Sequence, residues 1–190
     1  MAASGEAIVI GASAGAIQAL SRILPALPPT FAIPVLVVVH VPADRSELVP
    51  LFQTKCRIAI KEAEDKEPIV PGSVYFAPPA YHLLVEADRC ISLSVDEPVL
   101  YSRPSIDVLF ESAADAYGAG LTGIVLTGAN EDGARGLAAV TRAGGSAIVQ
   151  DPADAFSSTM PRAALAHCAS ARVLSLDAIA SHLLSLDISR

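Results

Sequence analysis

Short β-rich apolar runs alternate with amphipathic stretches along this chain, and that alternation leaves few folds open. "AIVI" (7–10), "PVLVVVH" (34–40), "GIVLT" (123–127), "SAIV" (146–149) and "ARVLSL" (171–176) are continuous apolar runs bounded by turn residues, as expected of strands covered on both faces. Ile17, Leu20, Leu24 and Leu27 share a helical face, with Pro25 closing that helix near its end. Ile106, Leu109, Phe110, Ala113 and Tyr117 form a second such face, behind a Ser105 N-cap and ahead of Gly118. Residues 132–143 and about 158–168 predict further helices. The pattern implies βαβ units and an α/β fold: a three-layer αβα sandwich around a mainly parallel, doubly wound sheet. In "GSVYFAPPAYHLLVEADRCISLSV" (72–95), "ADR" turns between the second and third of three strand-like runs. This predicts an antiparallel hairpin inserted into the sheet or lying at its edge. Pro50 falls inside the helical pattern of 45–54, so that helix is expected to be short or kinked. Without repeats, low-complexity tracts or a boundary, residues 1–190 read as a single domain.

Composition excludes several classes. With 52% hydrophobic residues the chain can bury a sizeable core, and a net charge of −7 with no Lys/Arg run argues against duplex DNA. "MAASGEAIVIGAS" lacks the basic flank and long apolar stretch of a signal peptide, and no apolar run nears the roughly 20 residues that span a bilayer. Cys56, Cys90 and Cys168 form neither a metal-ligand nor a redox motif, so they read as small buried hydrophobes in a reduced cytoplasm. His82, His167 and His182 lack metal-ligand spacing and read as structural or surface residues. No cofactor or metal is expected.

In open α/β sheets ligands gather beyond the carboxyl ends of the strands. Ser13 follows the first strand in "GASAG", His40 ends the second in "VVVHVPA", and Asp132 follows "GIVLT" in "TGANEDGARG". A hydroxyl, an imidazole and a carboxylate are the parts of an activated serine nucleophile. Each has a plainer explanation: Ser13 as an N-cap, His40 as a satisfied core histidine, Asp132 as the cap of its own helix. Glu131 competes with Asp132 for the acid role. "GASAG" satisfies G-x-S-x-G, yet the usual α/β-hydrolases order their triad Ser, acid, His, and here the order is Ser, His, acid. A nucleotide site is the rival reading of the glycine-rich first turn. Against it, G-x-G-x-x-G and the P-loop motif are absent, and His40 stands where a ribose-binding acid belongs.

From about residue 6 to 186 the chain resembles the catalytic domain of chemotaxis receptor protein-glutamate methylesterases, the CheB family. The matching stretches are "VIGASAGAIQAL", "HVPA", "KEAEDKEPIVPGSVYFAPPAYHLLV", "RPSIDVLFESAADAYG", "GIVLTGANEDGARGLAAVTRAGG", "QDPADA" and "MPRAAL". The resemblance implies a Ser13-His40-Asp132 triad that hydrolyses γ-glutamyl methyl esters on methyl-accepting chemotaxis receptors in the cytoplasm. Methanol is released, and glutamine deamidation often accompanies the reaction. A receptor is a long helical bundle, so a shallow, open cleft is expected. The family usually has Ser-Thr-Gly where this chain has Ser13-Ala14-Gly15, and Gln-His-Met where it has Val39-His40-Val41. It has "TGMG" where this chain has Thr127-Gly128-Ala129-Asn130, and frequently a histidine at Ser102. These departures bear on substrate and rate. They also keep open two alternatives: a non-catalytic receptor-docking module, or an esterase for another acyl substrate. Members commonly carry an N-terminal phosphoacceptor receiver domain, and here the sequence begins at the first catalytic strand. Either the chain is a stand-alone esterase, which the initial Met1 favours, or a receiver-type regulator belongs to another chain or to a region outside this sequence.

Overall fold

The computed structural model describes residues 5–40 and 47–188. Val41 and the rest of "VPA" lie outside the described residues. Seven parallel strands form the central sheet: β1 (Ala7–Ala12), β2 (Val35–Val39), β3 (Ala59–Glu62), β4 (Ser73–Phe76), β7 (Leu121–Val125), β8 (Ser146–Gln150) and β9 (Arg172–Leu174). Their order is β3-β4-β2-β1-β7-β8-β9, so the chain leaves β1 in one direction and later returns to its other side at β7. β1 pairs with β2 through Ile8↔Val35 and with β7 through Ile8↔Thr122. This is the switch point where α/β sheets open a crevice.

Every residue of β1, β2 and β7 is buried, which is why these strands read as unbroken apolar runs. Successive side chains go to opposite faces. Ile8, Ile10, Val35 and Val37 pack against α1 (Ala16–Ile23), α2 (Leu48–Lys55) and α6 (Leu176–Ile188). Val9, Leu36 and Val38 pack against α3 (Ile106–Tyr117), α4 (Ala134–Arg142) and α5 (Thr159–His167). The fold is therefore the expected three-layer αβα sandwich.

Several elements differ from the sequence reading. The hairpin β5 (His82–Val85) and β6 (Ile91–Ser94) is neither inserted in the sheet nor at its edge; it forms a separate two-stranded sheet against α3. Only the first of the three runs, β4, joins the main sheet. The buried face of α1 is Ala16, Ala19, Leu20 and Ile23, the helical i, i+3, i+4, i+7 set that starts at Ala16, so Ile17 falls beside it and is exposed. Leu24–Ala26 continues as a tighter 3₁₀ turn around Pro25. β9 is an edge strand with Val173 exposed, and Leu176 already belongs to α6. The helix around Pro50 is short, as expected: α2 has 8 residues, and Pro50 is its third, where backbone N–H groups have no helical partner in any case.

Candidate active site

Hydrogen bonds continue the sheet beyond its strand ends and bring three loops to one rim. His40 N–H donates to Ala12 O at 3.1 Å, Leu126 N–H to Gly11 O at 2.9 Å, and Ser13 N–H to Thr127 O at 2.9 Å. Gly11 lets this rim close: a side chain there would collide with Ile106, the first residue of α3. Gly15, at φ 84°, turns the chain from Ser13 into α1 in a conformation unfavourable to other residues.

The carboxylate of Asp132 is completely buried and accepts four hydrogen bonds. Oδ2 receives His40 Nε2 at 2.8 Å and the Ile106 N–H at 2.7 Å. Oδ1 receives the Ser105 hydroxyl at 2.9 Å and the Asp107 N–H at 3.0 Å. Burial alone would push this carboxyl up. The bonds from His40 and from the Asp107 and Ile106 N–H groups outweigh that and hold it below the usual carboxylate range. Asp132 therefore does not cap its own helix; it sits at the N-terminus of α3, whose free N–H groups favour an anion. Asp107 returns the arrangement from α3: its Oδ1 accepts from Gly133 N–H at 3.0 Å and Gly136 N–H at 2.7 Å, capping α4. Asp107 Oδ2 is buried without a hydrogen-bond partner, and burial raises this carboxyl.

The Ser105 backbone is itself anchored. Its N–H donates to His82 Nδ1 at 3.1 Å, which leaves His82 Nε2 to donate to Glu97 O at 3.0 Å. His82 is thus a buried structural histidine. His167 is exposed, and His182 lies beside Arg172 at 3.3 Å. Glu131 is exposed and makes no hydrogen bond to His40.

Ser13 lies one strand over, in the turn between β1 and α1. Thr127 organises this turn: its hydroxyl donates to Ala14 O at 2.8 Å and accepts from Ser157 N–H at 2.9 Å. Buried Gln150 holds Thr127 N–H through Oε1 at 2.9 Å. The Ser13 hydroxyl has no hydrogen-bond partner among the described residues, and neither do the Ala14 and Ala129 N–H groups. The fold therefore joins His40 to Asp132 directly and sets Ser13 at the adjacent strand end, without a bond to the ring. Ser105, Asp107, Thr127 and Gln150 went unmarked in the sequence as site residues. The one available signal was the N-cap pattern at Ser105.

The three cysteines are free; Cys168 is buried, whereas Cys56 and Cys90 are only half-buried. Burial raises the Cys56 and Cys90 thiols, the opposite of what a reactive thiolate needs. Among the described residues no group of three or more His, Cys, Asp or Glu could hold a metal ion, and no helix is long and apolar enough to cross a membrane.

A parallel αβα sandwich thus carries a hydroxyl, an imidazole and a caged carboxylate on one rim, the side-chain types that an activated serine nucleophile requires. Comparison with known proteins gives the family. Residues 8–183 match the family model for CheB methylesterase, and the chain belongs to that family of hydrolases. A Leptospira interrogans relative, provisionally named protein-glutamate methylesterase/protein-glutamine glutaminase, is 51% identical over 96% of this chain and 95% of its own length. A Bradyrhizobium diazoefficiens protein-glutamate methylesterase/protein-glutamine glutaminase is 41% identical over 84% of this chain but only 45% of its own. The crystal structure of the Thermotoga maritima CheB methylesterase catalytic domain superposes with a TM-score of 0.92 at 31% identity, covering 96% of this chain and 98% of that one.

Proposed function

We propose that this chain hydrolyses glutamate γ-methyl esters on methyl-accepting chemotaxis receptors in the cytoplasm, with Ser13 as nucleophile, His40 as general base and Asp132 as orienting acid. Residues 1–190 are read as one catalytic domain. The observation that carries the reading is the 2.8 Å bond from His40 Nε2 to a carboxylate held ionised by three further donors. It fixes the ring, stabilises the imidazolium that forms, and leaves Nδ1 as the nitrogen that takes the Ser13 proton. Ser13 Oγ attacks the ester carbonyl, and His40 gives the proton to departing methanol. Water, deprotonated by the same nitrogen, then releases the glutamate carboxylate. The unpartnered N–H groups of Ala14 and Ala129 are the candidate oxyanion donors, each worth about 2.7–4 kcal/mol in such a role. An amide leaves less readily than an alkoxide, so glutamine deamidation is the slower reaction.

The test is methanol release from methylated receptor, run beside a small-ester panel and Ser13→Ala. Receptor turnover lost in the variant supports the proposal. Turnover of small esters alone indicates another acyl substrate, and receptor binding without turnover indicates a docking module. Comparing Asp132→Asn with Glu131→Gln identifies the acid; equal small losses in both contradict the assignment to Asp132.

A further inference from the structure

His40 has a second neighbour that the proposed chemistry does not use. Asn130 stands two residues before the acid, and its Nδ2 lies 3.4 Å from His40 Nδ1, the nitrogen not committed to Asp132. The orientation of this amide follows from its other end: Asn130 Oδ1 accepts the Asp132 N–H at 3.1 Å, so the NH₂ group is the end directed at the ring. The ring is equally determined. Nε2 must donate to the Asp132 carboxylate, which leaves Nδ1 as an acceptor for the amide. Ser13 Oγ, the group that should hand its proton to Nδ1, has no bond to it.

We propose that Asn130 is a positioning residue that holds the His40 base in a resting state, its side-chain amide competing with the Ser13 hydroxyl for Nδ1. The inference rests on the reading of His40 as the base. A contact of 3.4 Å is long for a hydrogen bond and yields easily. Substrate that brings Ser13 onto the ring can therefore displace the amide, while an unoccupied site keeps its nucleophile unactivated. Among the described residues the charged groups at this end are Asp132 in direct contact with the ring, Asp107 beyond it, and Arg135 on α4, which acts on both carboxylates; Glu131, next to Asp132 in sequence, is exposed. Asn130 meets the ring from the side opposite Asp132 with a neutral donor.

Two variants separate this role from a scaffold for the Asp132 loop. Asn130→Ser keeps a short oxygen able to accept the Asp132 N–H but cannot reach the ring. It should raise kcat/KM by about two- to tenfold, the range expected from releasing one long neutral hydrogen bond. Asn130→Asp also keeps the acceptor but presents a carboxylate to Nδ1, which traps a proton there. It should lower kcat/KM at neutral pH by roughly tenfold or more and move the acidic limb of the pH profile upward by about one unit or more. Independently of activity, ¹⁵N-histidine NMR in a Ser13→Ala background should show the His40 Nδ1 resonance moving toward a free acceptor in Asn130→Ser. An unmoved Nδ1 resonance, or equal loss of activity in both variants with an unchanged pH profile, overturns the proposal. Because the NMR readout needs no turnover, it decides the contact even if the esterase reading fails.

Discussion

Asp132 has no exposed surface and receives four hydrogen bonds, from the end of β2 and the start of α3. Ser13, one strand away, receives none through its hydroxyl from the described residues, and its turn is flanked by exposed Phe156 and Ile17. In the proposed mechanism the two ends of the site solve different problems. An acid that steers a histidine must be ionised and immobile, and the free N–H groups at the start of α3 achieve both during folding, before any substrate arrives. A nucleophile must meet a carbonyl on another macromolecule, and a side chain already satisfied by protein partners would have to surrender them first. The acid end should therefore couple activity to stability, and the serine end should not.

Ser13→Ala gives the largest effect. Activity should fall roughly 10⁴- to 10⁶-fold, while the unfolding temperature in calorimetry moves by less than about 1 °C. Asp132→Asn comes next and should do both kinds of damage: roughly 10³- to 10⁴-fold in kcat and about 2–4 kcal/mol of stability at pH 7. Because the fold holds this carboxyl below its ordinary range, its contribution is complete above the unfolded value of about 3.9 and is lost as pH falls through the folded value. Denaturant titrations of the two proteins should accordingly begin to converge below about pH 4. A thermally silent Asp132→Asn would break the contrast between the two ends.

The same contrast explains what could be read from the letters. β1, β2 and β7 were visible because burial on both faces leaves a continuous apolar run, and strand ends then located Ser13, His40 and Asp132. The cage around Asp132 had no such signal. Its donors at 105–107 lie 25–27 residues away, and no periodicity links two helix starts that cap each other. Ser105 looked like the cap of α3 alone, and Asp132 like the cap of α4. Edge elements misled for the opposite reason: "ARVLSL" has strand composition, but Val173 faces solvent at the sheet edge and Leu176 starts a helix.

Asp107 sharpens the comparison within the acid end itself. It mirrors Asp132 across the two helix starts, yet burial raises it, and Oδ2 has no hydrogen bond, only the Arg135 guanidinium at 4.0 Å. Such a group binds its proton more tightly folded than unfolded, so its ionisation reduces stability as pH rises from the unfolded value, about 3.9, to the folded one. Asp107→Asn keeps an oxygen for Gly133 and Gly136 and removes the charge. It should stay within about 1 kcal/mol of wild type at pH 7 and gain on it as pH rises from 4. Activity should remain within about tenfold, short of the roughly 10²-fold that a misplacement of one ångström can cost. A loss of stability matching that of Asp132→Asn would mean that both carboxylates, not one, are required as anions.

Phe156 provides the smallest effect and the most selective one. Its side chain lies over Gly15, where an added Cβ would come within 2.6 Å of it, yet the residue is 81% exposed. An aromatic ring already in water contributes little to folding, so Phe156→Ala should change the unfolding temperature by less than about 1 °C. If the open serine end is where a receptor helix rests, the ring meets substrate equally in the ground and transition states. KM should then rise by about three- to tenfold with kcat unchanged. A fall in kcat at constant KM would show instead that Phe156 braces the turn carrying Ser13. The serine end would then be as built-in as the acid end, held by packing where Asp132 is held by hydrogen bonds.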